Sequence, residues 1–217
     1  MEKEKPSLIR VDTSGDFQSA VGRAADILLD GGLVAFPTES FYGIAVDVRN
    51  DAAIKRLFAA KGRSAGSPVL ILIGSLESLE PYVEQIPPVA LRLIEKFWPG
   101  GLTLVFRASS KVSPLLTGGT QKIGIRLSSH PVATALARAT RAPISGTSAN
   151  ISGRPGCRNA QEVMESLGSG VDLILDAGET AGKIGSTVLD VTEQPPRILR
   201  DGIVPRAQLK ACSFDIA

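Results

Sequence analysis

Short apolar runs, each ended by glycine, proline or a polar cluster, alternate along this chain with stretches of helical periodicity. Phe17–Asp30 places its apolar residues on one helical face and stops at Gly31–Gly32, and Leu33–Phe36 follows as a predicted strand. The unbroken apolar run Val69–Ile73 is typical of a strand buried on both faces. Because several predicted strands are consecutive, we expect an α/β fold with a mixed sheet flanked by helices rather than a regular parallel one.

The same reasoning predicts the remaining elements. Asn50 or Asp51 is suited to begin a helix that ends near Lys61. Further helices are predicted at Leu76–Val83, Pro88–Phe97, Pro131–Arg141 and Ala160–Leu167. Further strands are predicted at Ile44–Val48, Leu102–Phe106, Ile123–Leu127, Ala142–Gly146, Leu173–Leu175, Thr187–Val191 and Ile198–Leu199.

Length and composition limit the classes to which the protein can belong. A chain of 217 residues, of which 43% are hydrophobic, can fill the core of one large domain. The net charge of +2 is too small to indicate a polyanionic partner by attraction to the whole molecule. Two cysteines and one histidine leave no common zinc spacing, so no metal site is expected. Apolar runs of signal-peptide or membrane-spanning length are absent from the sequence, so we expect a cytoplasmic protein without a membrane partner.

Three familiar catalytic devices fail on inspection of the sequence. Gly178–Lys183 resembles a Walker A loop, but only three residues separate its glycines, and Ile184 stands where Ser or Thr should bind magnesium. Gly146–Asn150 resembles a nucleophile elbow, but its fifth position is asparagine, and the sole histidine, His130, precedes the serine. A G-x-G-x-x-G fingerprint is missing, which removes the usual indication of a nicotinamide or flavin enzyme.

Polar loops follow several predicted strands, where α/β proteins place their ligands. The loop Pro37–Gly43 carries two hydroxyls, a carboxylate and a phenol, although an ordinary turn can have the same composition. Lys61–Ser64 either caps a helix or supplies two cations to a ligand. Arg126 continues an apolar strand and either forms a salt bridge or binds an anion. Ser145–Gly153 is either a surface loop or a concave anion site.

Together these loops are suited to bind a nucleoside triphosphate without a P-loop. The positive charge comes from Lys61, Arg63, Arg126 and Arg200. Polar recognition comes from Ser40, Ser148, Asn150 and Ser186. A general base does not stand out, and His130, which precedes Pro131 at a predicted helix start, is interpreted as structural.

On these residues the sequence resembles the YrdC-like family of L-threonylcarbamoyladenylate synthases, also called TsaC, in its single-domain form. The resemblance implies a twisted mixed sheet that encloses a positively charged cavity, within a domain at 16–208 that an N-terminal extension at 1–15 precedes and a tail at 209–217 follows. The matching segments occur in the family's order and are Pro37–Gly43, Lys61–Arg63, Trp98–Thr103, Gly124–Arg126, Thr147–Gly153, Ser186–Thr187 and Arg197–Arg200.

The resemblance also implies a reaction and the residues that perform it. L-Threonine, bicarbonate or CO2, and ATP with Mg²⁺ are joined into threonylcarbamoyl-AMP, with release of pyrophosphate. A partner transferase complex then modifies adenosine 37 of tRNA, and direct binding of tRNA to this chain is left open. By resemblance, the threonine contacts fall on Ser40, Arg126, Gly146 and Ser186. The ATP contacts fall on Lys61, Arg63, Ser67, Lys122, Ser148, Asn150, Gly156 and Arg200, and catalysis is expected to rest on the first two of these.

Some positions depart from the commonest family pattern, and two other functions remain open. Ser40 stands where threonine is usual, Ser128 replaces a proline, Leu72 lies where two-domain relatives carry a histidine, and Gly156 offers ATP no side chain. The first alternative is a non-catalytic module that binds tRNA or ribosomal RNA, with an affinity that falls steeply with salt. The second is a carbamoyl-adenylate enzyme with a different acceptor, which would show no dependence on threonine.

Overall fold

In the computed structural model, which describes residues 5–64 and 66–212, helices cover two mixed β-sheets. Residues 1–4 of the predicted extension and 213–217 of the predicted tail lie outside the described residues. The strands are β1 (Ser7–Arg10), β2 (Val34–Phe36), β3 (Gly43–Ala45), β4 (Ile71–Leu72), β5 (Leu102–Arg107), β6 (Lys122–Arg126), β7 (Ile144–Ser145), β8 (Thr147–Ser148), β9 (Leu173–Asp176), β10 (Thr187–Asp190) and β11 (Arg197–Arg200). The α-helices are α1 (Gln18–Leu29), α2 (Asp51–Lys61), α3 (Pro88–Phe97), α4 (Pro114–Thr117), α5 (Pro131–Ala139), α6 (Ala160–Leu167) and α7 (Arg206–Lys210).

Both sheets combine parallel and antiparallel pairs. The first has the strand order β1-β9-β2-β3-β8, in which β9 runs parallel to β1 and β2 while β3 is antiparallel to β2 and β8. The second has the order β11-β10-β5-β6-β4-β7, in which β5 is parallel to β10 and antiparallel to β6. The predicted α/β class with mixed strand directions is confirmed, but the strands form two sheets where one was expected.

The chain passes from the second sheet to the first at Gly146, between β7 and β8. The amide of Gly146 donates a hydrogen bond to the Leu70 carbonyl over 2.9 Å, which fixes the crossing point. A β-carbon at this position would lie 2.5 Å from Leu70 Cδ1 and 2.7 Å from Leu72 Cγ, closer than side chains can pack. A glycine is therefore required where the two sheets approach each other.

Two other differences from the sequence prediction have local causes. Leu76–Val83, predicted as a helix, forms two short 3₁₀ turns at Leu76–Ser78 and Glu80–Tyr82, because Pro81 lacks the amide that a continuing α-helix needs. The strand β1 was not predicted, since its four residues are too few to show a period, and it pairs in parallel with β9 from inside the predicted N-terminal extension.

Two buried apolar clusters hold the layers together. One joins α1 and α5 to the first sheet through side chains such as Val21, Leu28 and Leu136. The larger one packs α2, α3 and α6 against the other faces of the strands. Of the two residues predicted to begin α2, Asn50 is the cap, because its side chain accepts from two amides of that helix. At the start of α5, where the sequence predicted only a structural role for His130, its Nδ1 accepts from the Val132 amide. Among the described residues, the helices are too short or too polar to cross a bilayer.

The buried hydroxyl of Tyr42 fixes the segment that follows β9. It donates to the Gly178 carbonyl over 2.8 Å and accepts from the Ala177 amide over 3.1 Å. Burial raises the pKa of Tyr42 to about 12, so the phenol stays neutral over the ordinary pH range.

We expect Tyr42→Phe to lower the free energy of unfolding by about 1 to 3 kcal/mol, because the Ala177 amide loses its acceptor. Urea denaturation measures this loss. Tyr82→Phe is the matched control, since the half-buried Tyr82 hydroxyl makes no hydrogen bond to the described residues. Equal stabilities of the two variants would contradict the assigned role of Tyr42.

Candidate functional site

A cavity of about 490 Å³ opens between the two sheets. Its walls come from β2, β3 and β8 on one side and from β5, β6 and β10 on the other, with the loop before β10 at its edge. Glycines at the wall leave the space open, and Gly156 is packed so closely on Phe41 that a β-carbon would lie 2.8 Å from the ring. The predicted site residues that line this cavity are Ser40, Arg63, Lys122, Arg126, Gly146, Ser148, Gly156, Ser186 and Arg200.

Three predicted residues lie outside the cavity wall. They are Lys61, Ser67 and Asn150. Asn150 is buried and turns inward, where its amide nitrogen donates to the carbonyls of Ile151 over 2.8 Å and Arg154 over 2.6 Å. Its side chain therefore shapes the loop after β8, and a direct contact of Asn150 or Ser67 with ATP stays a prediction.

Lys61 connects α2 to the same loop. Its ammonium is buried and donates to the carbonyl oxygens of Ser148 and Asn150, the latter over 2.7 Å. Burial, with a further contribution from the charge of Arg63, lowers the pKa of Lys61 to about 8. Gly62 adopts a left-handed conformation that ends α2 and turns Arg63 toward the cavity. Lys61 thus stabilises the loop after β8 from outside the cavity, whereas Arg63 lines the cavity itself.

Arg63 and Lys122 are both engaged by neighbouring groups. Arg63 donates to the Thr147 hydroxyl over 3.2 Å and to the Pro68 carbonyl over 2.7 Å. The Lys122 ammonium lies 2.7 Å from an Asp190 carboxylate oxygen and 3.1 Å from one of Glu193. Because these carboxylates offset part of the charge, a net positive potential in the cavity stays a prediction.

Arg126 ends β6 and is only 4% exposed, yet it faces the cavity. Its Nη1 lies 3.1 Å from Glu39 Oε1, in an ion pair whose angle does not make a hydrogen bond. Its Nε has no hydrogen-bond partner among the described residues, although it is fully buried. An unsatisfied buried donor costs about 1 to 3 kcal/mol, so this nitrogen indicates a place for a ligand oxygen.

Arg200 and Ser186 form a second polar cluster, on the same sheet as Arg126. Arg200 donates from Nε and Nη2 to the Ser186 carbonyl over 3.1 and 2.8 Å, and Nη2 also donates to the Ser186 hydroxyl over 3.0 Å. That hydroxyl lies 2.8 Å from the Thr103 hydroxyl. Burial, and next the nearby charge of Arg126, lower the pKa of Arg200. Two guanidinium groups therefore repel each other within one cavity, which an anionic ligand would relieve.

The turn after β2 places Ser40 beside this pair of arginines. The Thr38 hydroxyl donates to the Phe41 carbonyl over 2.6 Å and accepts from the Ser40 amide over 3.1 Å. Its single proton is thereby used, so the Ser40 hydroxyl, 3.1 Å away, is the donor in their contact. The lone pairs of Ser40 remain available to a ligand. The loop Pro37–Gly43 can therefore be an ordinary turn and still offer a group to a ligand.

Several cavity residues were not assigned from the sequence. They include Thr38, Thr103, Thr120, Thr147, Ile184, Leu199 and Asp201. Thr38 and Thr103 stand inside the matched motifs, so their position was visible but their role was not. Ile184 and Leu199 line the cavity although they are 47% and 53% exposed, and Leu199, like Thr38 and Thr103, stands inside a matched motif. Among the described residues, no group of three or more His, Cys, Asp and Glu is placed to hold a metal ion.

Comparisons with known proteins agree on one family. The Sua5/YciO/YrdC family model, described as telomere recombination, matches residues 26–202. The chain is 42% identical over 187 residues to the threonylcarbamoyl-AMP synthase of Pyrococcus abyssi, covering 86% of this chain and 55% of that relative. It is 36% identical over 192 residues to the threonylcarbamoyl-AMP synthase of Bacillus subtilis, covering 88% of this chain and 56% of that relative. The chain thus spans about half the length of these two relatives.

The fold agrees with a solved structure of the same kind. The crystal structure of P. abyssi Sua5 complexed with L-threonine superposes with a TM-score of 0.93 at 38% sequence identity. The match covers 97% of this chain and 62% of that chain. The two-sheet architecture around the cavity is therefore shared with a protein that was crystallised with an amino acid.

Proposed function

Because the chain belongs to the Sua5/YciO/YrdC family, we propose that it forms threonylcarbamoyl-AMP and pyrophosphate from L-threonine, bicarbonate or CO2, and ATP. The observation that carries this proposal is the buried Nε of Arg126, which has no hydrogen-bond partner among the described residues and belongs to a side chain that shares its cavity with Arg200. One cation can bind the carboxylate of an amino acid while the other meets a phosphate. The L-threonine complex of the similar P. abyssi protein supports the choice of amino acid.

The reaction requires alignment and charge stabilisation more than a covalent nucleophile. The threonine amino group takes up CO2 to form a carbamate and releases a proton. A carbamate oxygen then attacks the α-phosphorus of ATP, and the bond from that phosphorus to the pyrophosphate oxygen breaks. In this proposal Arg126 and Ser40 hold threonine, and Arg63 and Arg200 offset the charge that develops on the phosphates.

Other participants follow from the same proposal. Mg²⁺ enters with ATP as part of the substrate and carries part of the triphosphate charge. The product is a reactive mixed anhydride, so a transferase complex that modifies adenosine in tRNA is the proposed consumer. We place the protein in the cytoplasm, where ATP and tRNA are found.

We expect pyrophosphate release from ATP, Mg²⁺ and bicarbonate to require L-threonine, and to be much lower with L-serine. Release is measured by a coupled pyrophosphate assay, and the adenylate product by mass spectrometry. Threonine-dependent release with a new adenylate supports the proposal. If a folded sample binds ATP but releases pyrophosphate only with another acceptor, the threonine assignment is wrong. Salt-sensitive RNA binding without ATP binding would favour the RNA module instead.

A further inference from the structure

We propose that Glu39 is a positioning residue that orients the Arg126 guanidinium toward the substrate carboxylate, an inference that rests on the proposed function. Glu39 is absent from the cavity wall and lies behind Arg126, so it acts through that side chain. Glu39 stands in the loop Pro37–Gly43, where its sequence context alone predicts no specific role. Its contacts show what it does.

Glu39 occupies one edge of the guanidinium and leaves the other free. Its Oε1 lies 3.1 Å from Nη1 of Arg126, and the two side chains are 17% and 5% exposed. An arginine presents its donors in a rigid plane, in which Nε and Nη2 form the edge that matches a carboxylate with two parallel hydrogen bonds. Because the charge of Glu39 lies beside Nη1, and Nε has no hydrogen-bond partner among the described residues, the edge beginning at Nε is the one left for the ligand.

The position of Glu39 is itself fixed from the far side. Its Oε2 accepts a hydrogen bond from the hydroxyl of Ser128, which is 2% exposed. The Ser128 hydroxyl accepts from the His130 amide over 3.2 Å, and the Ser128 carbonyl accepts from the Thr134 hydroxyl over 2.8 Å. These bonds tie the start of α5 to the loop after β2. Ser128 stands where the resembling family commonly has proline, so this chain makes a contact that a proline cannot make.

The charge of the Glu39 carboxylate also affects the energy of the Arg126 side chain. A buried guanidinium without a counter-charge is costly, and it would turn toward any carbonyl within reach. Burial lowers the pKa of Arg126 and the charge of Glu39 opposes that effect, so the carboxylate stabilises the charged form of the arginine on the side where Nη1 lies. The substrate carboxylate then meets a cation that is already in place, which reduces the entropy lost on binding.

Glu39→Gln tests this inference, because glutamine keeps the size of the side chain and an oxygen for Ser128 but removes the charge. Ser128→Ala is a second variant, which keeps the charge of Glu39 but removes the hydrogen bond that fixes the position of its carboxylate. Asp47→Asn is the control, since Asp47 is a carboxylate that is more deeply buried than Glu39, pairs with Arg49 at 2.7 Å and does not line the cavity. All variants are made in the full chain, and their melting temperatures are compared first.

The first readout does not depend on the reaction. Nitrogen-15 NMR of the arginine side chains, assigned with Arg126→Lys, measures how fast the Arg126 guanidinium rotates about its Nε–Cζ bond. We expect slow rotation in the wild type and in Asp47→Asn, and faster rotation in Glu39→Gln and Ser128→Ala. Free rotation of Arg126 in the wild type overturns the inference, whatever the substrate is.

The second readout is the division of the effect between the two substrates. We expect Glu39→Gln to raise the KM for threonine by roughly 10- to 100-fold, the range found when outer partners of metal ligands are removed, with the KM for ATP nearly unchanged. In an Arg126→Ala background, Glu39→Gln should change threonine binding no further, as calorimetry can measure. Equal increases in both KM values, or full additivity with Arg126→Ala, would show a merely structural residue. Absence of threonine-dependent turnover in the wild type would instead refute the proposed function.

Discussion

Replacement of Lys61 by methionine is expected to reduce product formation on the order of 100-fold, the effect of removing one preorganised electrostatic group from an active site. The ammonium lies behind the cavity, so the loss has two physical sources. The Asn150 carbonyl is left without its donor, which costs about 1 to 3 kcal/mol, and the Ser148 carbonyl keeps, among the described residues, only the hydrogen bond from the Asn150 amide, over 2.9 Å. The loop that carries Ser148 is then free to shift, and one positive charge behind the cavity disappears.

Lys55→Met is the matched control, because Lys55 lies on the same helix and is exposed. We measure initial rates at saturating substrates and unfolding by urea for both variants. Lys61→Arg should recover only part of the activity, since a planar fork does not reproduce the compact ammonium that meets two carbonyls. Near-normal turnover of a stably folded Lys61→Met would remove Lys61 from the nucleotide site.

The titration of Lys61 offers a check that does not use the reaction. Its folded pKa of about 8 lies below the ordinary value of 10.5, so between these pH values the unfolded chain binds more protons than the folded one. Stability therefore rises with pH across this window, and the contribution is lost as the pH falls through about 8. We expect wild type to show this rise relative to Lys61→Met. Parallel stability curves for the two proteins would contradict the assigned titration.

The sequence predicted the cavity residues that stand directly at strand ends. Arg126 and Ser186 interrupt or open apolar runs, and a polar residue at the end of a buried strand has few places to go except a ligand site. Local sequence also predicted a cap for α2 at Asn50 or Asp51, and Asn50 takes that position, because capping depends on neighbouring residues alone. Features that depend on one or two neighbouring residues could therefore be predicted from the sequence.

Features that depend on contacts between distant segments of the chain could not be predicted from the sequence. The division into two sheets depends on the crossing at Gly146, where a glycine is required only because Leu70 and Leu72 approach from another strand. The direction of the Lys61 side chain depends on the carbonyls of a loop almost ninety residues away. In the sequence, Glu39 is one polar residue of a predicted turn, and only the fold places Ser128 and Arg126 next to it. Spacing within one segment carries no information about such contacts.

Arg126→Ala is expected to raise the KM for threonine by about 100-fold, a loss of ~3 kcal/mol in binding, because a charge-assisted pair with the substrate carboxylate is removed. The KM for ATP should change little. The KM of Arg126→Lys for threonine should lie between those of wild type and Arg126→Ala, since lysine keeps the positive charge but not the planar pair of donors. Arg107→Ala is the control, because Arg107 lies exposed at the end of β5 outside the cavity wall. Steady-state kinetics with each substrate varied in turn separate these effects.

The chemical identity of the group that Arg126 binds can be tested on the substrate side. L-Threoninamide keeps the side chain and amino group of threonine but lacks the carboxylate charge. Wild type should prefer threonine over this amide strongly, and Arg126→Ala should lose that preference while Arg107→Ala keeps it. Removal of Arg126 also leaves Glu39 without its counter-charge, so the variant Arg126→Ala with Glu39→Gln should regain stability without regaining the preference. An unchanged preference for threonine in a folded Arg126→Ala would assign the carboxylate to another cation, and Arg200, in the same cavity, is the next to test.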